Sequence, residues 1–356
     1  MRLETIAVHA GSEPDPGVGA VTPSINLSTI YERGSDGGYP HGHSYARRSN
    51  PNRAALERTL ASLEGGADAA AFASGSAATH AVFSALGSGA HVIAPANAYY
   101  GTRVILSDLF EPWGLQTTFV DMADVAAVKN ALTPQTRMLW IETPGNPMLD
   151  VAPLAELAAV AQRAGVASAC DNTLATPVFQ RPFECGVDFA VHATTKYLGG
   201  HSDVIGGAVV ARRSSDLFER IRHIQHAAGA VPSPFECWLV QRGIRTLPYR
   251  MRAHTANANA VAAFLRAHHD VEAVHHPGFG GVLSFQLRAG ESAAMRVAAR
   301  VRLFTRATSF GGPESLVEHR ASVEGPDTKT PRNLLRLSVG LEHPDDLIED
   351  LAQALA

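Results

Sequence analysis

From residue 53 to about 245 the sequence alternates between short apolar runs and stretches of helix length, and few folds accept that pattern. The spacing predicts a helix over 53–64, closed by Gly65-Gly66, because glycine reaches the left-handed conformation that helix C-termini favour. A short strand is expected at 69–72, after which Ser74-Gly75-Ser76 opens a helix over 77–86. Further strands read at 91–94, 117–120, 138–142, 166–170, 189–192 and 205–211. Helices fall between them near 101–110 and over 124–132 and 153–164, the last with proline near its first turn. Strands this apolar need cover on both faces, so the expected class is α/β with a mainly parallel sheet.

The character changes after about 245. A long alanine-rich helix is expected over 252–268, a strand at 282–287, a helix at 292–302, a strand at 334–339 and a closing helix at 345–355. With 356 residues the chain exceeds one ordinary domain. It divides into an N-terminal arm (1–52), a large domain (53–245) and a small C-terminal α+β domain (246–356). The arm is rich in Gly, Pro, Ser and Tyr and weakly periodic, so it reads as extended, either lying across a partner subunit or disordered.

Composition excludes several classes. The formal net charge is −4 with no run of lysine or arginine, which argues against nucleic-acid and membrane-surface partners. The histidine pairs 41/43, 268/269 and 275/276 do not form a metal set, so no metal is expected. Cys170, Cys185 and Cys237 read as reduced, buried thiols of a cytoplasmic protein. The N-terminus has no apolar signal core, and no stretch approaches membrane-spanning length.

Only Lys129, Lys196 and Lys329 are lysine among 30 basic residues. Arginine serves as generic positive charge here, but it cannot form a Schiff base. Lys129 and Lys329 lie in polar segments. Lys196 follows an apolar strand and precedes a glycine-bearing loop, where a charge is costly to bury. A snorkelling lysine is the alternative. Other chemistry-bearing residues also fall at strand ends, where ligands bind in such sheets. Gly75 and Ser76 offer backbone N–H groups for a phosphate, or merely follow an N-cap. Asp171, ahead of Asn172 and Thr173, could hold a protonated ring nitrogen, or cap a turn. Tyr99 could stack on a flat ring, or fill the core. An amine, a carboxylate, a phosphate cradle and a stacking ring together make a pyridoxal phosphate site.

Longer motifs accompany these residues: Tyr45-Ala46-Arg47-Arg48-Ser49-Asn50-Pro51, Phe72-Ala73-Ser74-Gly75, Glu142-Thr143-Pro144-Gly145-Asn146-Pro147 and Asp171-Asn172-Thr173. The stretch His192-Ala193-Thr194-Thr195-Lys196-Tyr197-Leu198-Gly199-Gly200-His201-Ser202-Asp203 follows, then Ser309-Phe310-Gly311-Gly312-Pro313-Glu314-Ser315-Leu316 and Leu335-Arg336-Leu337-Ser338-Val339-Gly340. In these motifs, over nearly its whole length, the chain resembles the transsulfuration family of pyridoxal phosphate enzymes, which includes cystathionine γ-synthase, cystathionine γ-lyase, cystathionine β-lyase and methionine γ-lyase. The resemblance implies an aspartate-aminotransferase-like fold (fold type I) with a seven-stranded sheet. It implies that Lys196 carries the cofactor and moves protons, Asp171 pairs with the ring nitrogen and Tyr99 stacks on the ring. Gly75, Ser76 and Thr195, with Thr173 nearby, would hold the cofactor. Tyr45 and Arg47 would reach the phosphate in a neighbouring subunit of a homo-oligomer, dimer or tetramer. Asn146, Ser309 and Arg336 would face a small amino-acid substrate, with Arg336 on its α-carboxylate. The alternative for Arg336 is a surface arginine on an edge strand.

The chain also departs from the family pattern. Ala193 replaces a usual serine, Thr308 stands where γ-acting members often have glutamate, and Tyr100 replaces a glycine. Gly101 replaces the cysteine of many methionine γ-lyases, and 275–281 is shorter by about 20 residues than the family implies. The implied activity is γ-elimination or γ-replacement on a sulfur-containing or O-activated amino acid, with cystathionine or an O-acylhomoserine as substrate. A β-lyase is the alternative, and a non-catalytic ligand-binding protein a further one. A dinucleotide-dependent dehydrogenase lacks its Gly-x-Gly-x-x-Gly after the first strand.

Overall fold

The computed structural model describes residues 1–15, 17–325 and 328–356. Its larger sheet contains β1 (Asp68–Phe72), β2 (His91–Pro95), β3 (Gln116–Val120), β4 (Thr136–Glu142), β5 (Ala167–Asp171), β6 (Phe189–His192) and β7 (Gly207–Ala211). The strand order is β1-β7-β6-β5-β4-β2-β3. Every pairing is parallel except those of β7, which runs against both β1 and β6. The mainly parallel seven-stranded sheet expected from the sequence is therefore present.

Helices α1 (Leu3–His9), α2 (Pro51–Glu64), α3 (Gly75–Ser84), α4 (Tyr100–Val104), α5 (Val125–Asn130), α6 (Leu154–Ala164), α7 (Thr176–Phe179), α8 (Asp216–Ala228) and α9 (Pro234–Ile244) accompany this sheet. A π-helical stretch, Ile105–Phe110, continues α4. One sheet face packs Trp140 and Phe72 with Phe83 of α3 and Ile221 of α8. The other packs Ile93, Leu139 and Ile141 with Leu157 and Val160 of α6. Burying a side chain of this kind contributes about 1.5–3 kcal/mol. Helix α2 starts two residues earlier than expected, because Asn50 accepts hydrogen bonds from the N–H groups of Asn52 and Arg53 and Pro51 occupies the first turn.

The second sheet has the order β10-β11-β12-β9-β8, built from β8 (Val271–His275), β9 (Val282–Leu287), β10 (Thr305–Arg306), β11 (Leu316–His319) and β12 (Leu334–Ser338). Around it lie α10 (Leu247–Ala267), α11 (Gly290–Arg300), α12 (Arg320–Glu324) and α13 (Pro344–Leu355). Asp350 of α13 accepts the N–H groups of Arg302, Leu303 and Phe304 at 2.8–3.2 Å, tying the last helix to the turn after α11. A continuous apolar cluster runs from Leu56 and Leu60 of α2 through Ile244 and Met251 to Phe285, Leu337 and Leu351. The two sheets are thus joined by one core.

Two expectations need correction. The arm is not extended throughout: α1 buries Ala7 and packs Leu3 and Ile6 against the core. Seven residues are too few to display a 3.6-residue period, so only tertiary contact reveals them. Cys185 is half-buried, although Cys170 and Cys237 are buried as expected, and all three are free thiols. His268, His269 and Asp270 lie together on the turn after α10, a partly exposed grouping of a kind common without an ion. Helices α8 and α9 and strands β8 and β11 are additions to the pattern expected from the sequence. Among the described residues no helix is long and apolar enough to cross a membrane.

Helix α9 braces the loop that follows β6. A Cβ on Gly243 would overlap the carbonyl oxygens of Leu198 and Gly199, backbone atoms that cannot swing aside. Gly243→Ala should therefore cost about 1–3 kcal/mol of stability, read as a lowered denaturant midpoint. An unchanged midpoint would show that the loop yields freely.

Candidate active site

The carboxyl ends of β1, β2, β4, β5 and β6 open onto one cavity of about 270 Å³. Parallel strands place their C-terminal ends on one edge, and the helices that follow present their N-termini to the same side. After β1, Ser74 caps α3 by accepting the Ala77 N–H at 3.0 Å. The first-turn N–H groups of Gly75 and Ser76 have no carbonyl within the helix and line the cavity. A Cβ on Gly75 would lie 2.7 Å from Ala193 Cβ, so only glycine lets α3 approach the β6 loop this closely.

Tyr99 follows β2 and leaves 46% of its surface exposed at the cavity. Its backbone N–H donates to Glu142 Oε2 at 2.6 Å, and Trp140 Nε1 donates to Glu142 Oε1 at 3.0 Å. Burial, followed by the charge of Asp171, pushes Glu142 up to about 7. Asp171, at the end of β5, accepts the Thr173 N–H through Oδ1 at 3.0 Å. Burial raises this carboxyl too. The Ala193 N–H donates to Thr173 Oγ1 at 2.8 Å, which links the ends of β5 and β6.

Lys196 Nζ donates to Ser309 Oγ at 2.6 Å and lies 4.9 Å from the centre of the Phe310 ring. Burial, with the nearby Arg336 charge, lowers its amine to about 8. Thr195 lines the cavity, but its hydroxyl is engaged by Gly206, donating to the carbonyl at 3.2 Å and accepting the N–H at 3.0 Å.

Arg336 enters from the second sheet. It sits mid-strand in β12, paired with Ser284 and Glu318, and is 3% exposed. An edge-strand surface position is thereby ruled out. Nη1 donates to Asn146 Oδ1 at 3.1 Å, and Nη2 to the Ser309 carbonyl at 3.0 Å and Glu318 Oε2 at 2.5 Å. Its Nε is buried without a partner among the described residues. Ser309 has a positive φ of 97°, a conformation costing on the order of 1–3 kcal/mol for a side-chain-bearing residue. That turn sends its carbonyl to Arg336 and its hydroxyl to Lys196.

Every expected site residue except Tyr45 and Arg47 lines this cavity. Those two lie together elsewhere, with the Arg47 guanidinium 5.7 Å from the Tyr45 ring centre and Nη1 donating to the His226 carbonyl at 2.6 Å. Sequence reasoning misses the parts played by Glu142, Phe310, Glu318 and Arg320. Glu142 opens the motif that runs to Pro147, and nothing in its spacing marks it as a partner of Tyr99. Glu318 and Arg320 carry a signal, since they are charged positions at and just after an apolar strand, but that strand is itself too short to stand out.

The chain is 44% identical over 373 aligned residues to cystathionine gamma-synthase of Mycobacterium tuberculosis, an alignment covering 99% of this chain and 96% of that protein. It is 39% identical to cystathionine beta-lyase of Coxiella burnetii, across 99% and 97% of the two chains. The crystal structure of MetB from Corynebacterium glutamicum matches with a TM-score of 0.97 at 36% identity, covering 100% of this chain and 98% of that one. The profile of the family described as "Cys/Met metabolism PLP-dependent enzyme" matches residues 4–356. With that match extending over the cavity and both sheets, the chain belongs to the Cys/Met metabolism family of pyridoxal phosphate-dependent enzymes.

Proposed function

We propose that the chain catalyses γ-elimination or γ-replacement on a sulfur-containing or O-activated amino acid, of the kind carried out by cystathionine γ-synthases and γ-lyases. The observation that carries this reading is the placing of Lys196, Asp171 and Arg336 around one cavity in a chain 44% identical to a cystathionine gamma-synthase. The donor set suits pyridoxal phosphate: Gly75 and Ser76 offer first-turn helix N–H groups, Asp171 a half-buried carboxylate, and Lys196 an amine with no carboxylate paired to it among the described residues. When bound, that cofactor supplies an electron sink that acidifies the Cα–H of an amino acid.

The protein's own residues would do the rest. Arg336 would receive the α-carboxylate through its unpartnered Nε, in a charge-assisted hydrogen bond. Asn146 and the Ser309 carbonyl would hold the guanidinium in place. Asp171 would hold a ring N–H, and Tyr99, pinned by Glu142, would cover a ring face. Lys196 would take the Cα proton, and for γ chemistry a second proton at Cβ, since an amine lowered to about 8 is suited to exchanging protons near neutrality. Thr195 would have to release Gly206 to bind phosphate.

We further propose a homo-oligomer in which Tyr45 and Arg47 complete a neighbour's site. Their distance from their own cavity supports this, as does the exposure of Val18, Val21, Leu27 and Ile30 on the arm. The division into arm (1–52), large domain (53–245) and small domain (246–356) is supported by strand placement: the larger sheet uses only residues 68–211 and the smaller only 271–338. The free thiols support a reducing, cytoplasmic setting.

Three outcomes are expected. Incubation of the cofactor-loaded protein with L-cystathionine should release cysteine and 2-oxobutyrate, identified by mass spectrometry; homocysteine with pyruvate would assign β-elimination instead. In the cofactor-free protein, labelling of Lys196 by an amine-reactive reagent should be half-maximal near pH 8 rather than 10.5, because burial disfavours the charged form and the proton leaves earlier. A midpoint near the ordinary value would remove the electrostatic argument for its role. Finally, inactive Tyr45→Phe/Arg47→Ala and Lys196→Ala subunits, mixed under exchange, should recover about a quarter of wild-type activity, the share of intact sites created by random two-fold pairing. No recovery with exchange demonstrated would refute the shared site.

A further inference from the structure

Arg320 opens α12, is 4% exposed, and lines the same cavity as Lys196 and Arg336. Its Nη1 donates to Glu318 Oε2 at 3.3 Å, the same oxygen that Arg336 Nη2 reaches at 2.5 Å. One buried carboxylate, 5% exposed, is therefore shared by two guanidinium groups. Arg320 is held from behind as well. Its Nε and Nη2 donate to Glu324 Oε1 at 3.2 and 2.7 Å, and Glu324 Oε2 accepts the hydroxyls of Thr328 and Thr330 at 2.5 and 2.7 Å. With its fork engaged on two carboxylates, Arg320 is committed to the protein and not to a ligand.

Two atoms in this cluster are buried without partners among the described residues: Arg336 Nε and Glu318 Oε1. A guanidinium and a carboxylate left to themselves pair through two parallel hydrogen bonds. If Glu318 were free to turn fully onto Arg336, Oε1 would take Nε and close the clamp against an incoming carboxylate. Arg320 opposes that turn by holding Oε2 from the other side.

We propose that Arg320 is a positioning residue for substrate carboxylate binding, acting through Glu318 to keep the Nε face of Arg336 open. The proposal rests on the reading of Arg336 as the α-carboxylate clamp. The charge of Arg320 also disfavours the protonated form of Lys196, so the same residue bears on the amine, though less than burial and Arg336 do.

Two inhibitors that attack the same cofactor-loaded site separate the effect. Aminooxyacetate carries a carboxylate and hydroxylamine does not. In the holoenzyme, Arg320→Gln should weaken aminooxyacetate about tenfold, the size of one charge-assisted hydrogen bond lost, with hydroxylamine changed less than about twofold. KM for the amino-acid substrate should rise while kcat falls by less than about threefold. Arg320→Lys keeps the charge but loses the fork, and should show the same selectivity at smaller size. Equal loss against both inhibitors in both variants, or no loss in either, would overturn the proposal. Arg336→Gln is run alongside. Carboxylate-selective loss there without any at Arg320 overturns the positioning role alone, and no selective loss at Arg336 overturns the clamp reading itself.

Discussion

A lysine amine and two arginines converge on one cavity, and the electrostatics of the site depends on how those cations are kept there. Like charges in a poorly solvated space are each penalised by burial and by one another. The structure resolves this unequally. Lys196 has a hydroxyl and an aromatic face beside it and no carboxylate bonded to it among the described residues, and burial with the Arg336 charge lowers its amine to about 8. Arg336 falls only to about 10 and remains charged, with Glu318 beside it. One cation thereby yields its proton near neutrality and the other keeps its charge, a division that suits the roles proposed for Lys196 and Arg336.

A second balance holds on the opposite wall. The buried Glu142 and half-buried Asp171 are carboxylates close enough for the charge of Asp171 to raise Glu142. Glu142 is compensated by the Tyr99 N–H and the indole of Trp140. Asp171 receives the Thr173 N–H on Oδ1. Glu142 thereby orients Tyr99, and Asp171 lines the cavity, as the role proposed for it requires. Both walls rely on close backbone approaches, at Gly75 against Ala193 and at Gly243 against the loop after Lys196, which fix where the amine can stand.

Much of this architecture is legible in the amino-acid pattern. The alternation of apolar runs places β1, β2, β4, β5 and β6 within a residue or two of their positions, because a strand buried on both faces has little freedom in composition. The helix cap at Ser74 and the glycine stop at Gly65 are local chemistry and can be read locally. What escapes is of another kind. Helix α1 is too short to show a period, and α9 announces itself only by a capping box at Ser233 and Glu236. Strand β11 contains Glu318, whose charge disguises a buried position. The Thr195 hydroxyl faces Gly206, a contact that no spacing along the chain announces.

By itself the sequence determined the sheet, the order of its elements and the residue types at the strand ends, since these follow from period, burial and backbone conformation over a few neighbouring residues. Only the tertiary structure decided which charges meet. Arg336 lies 140 residues from Lys196 in the chain, and Glu318 and Arg320 lie in a different sheet layer from Asp171 and Glu142. Their electrostatic consequences depend on distance, burial and partner count, quantities that come into existence only when the two sheets close on one cavity.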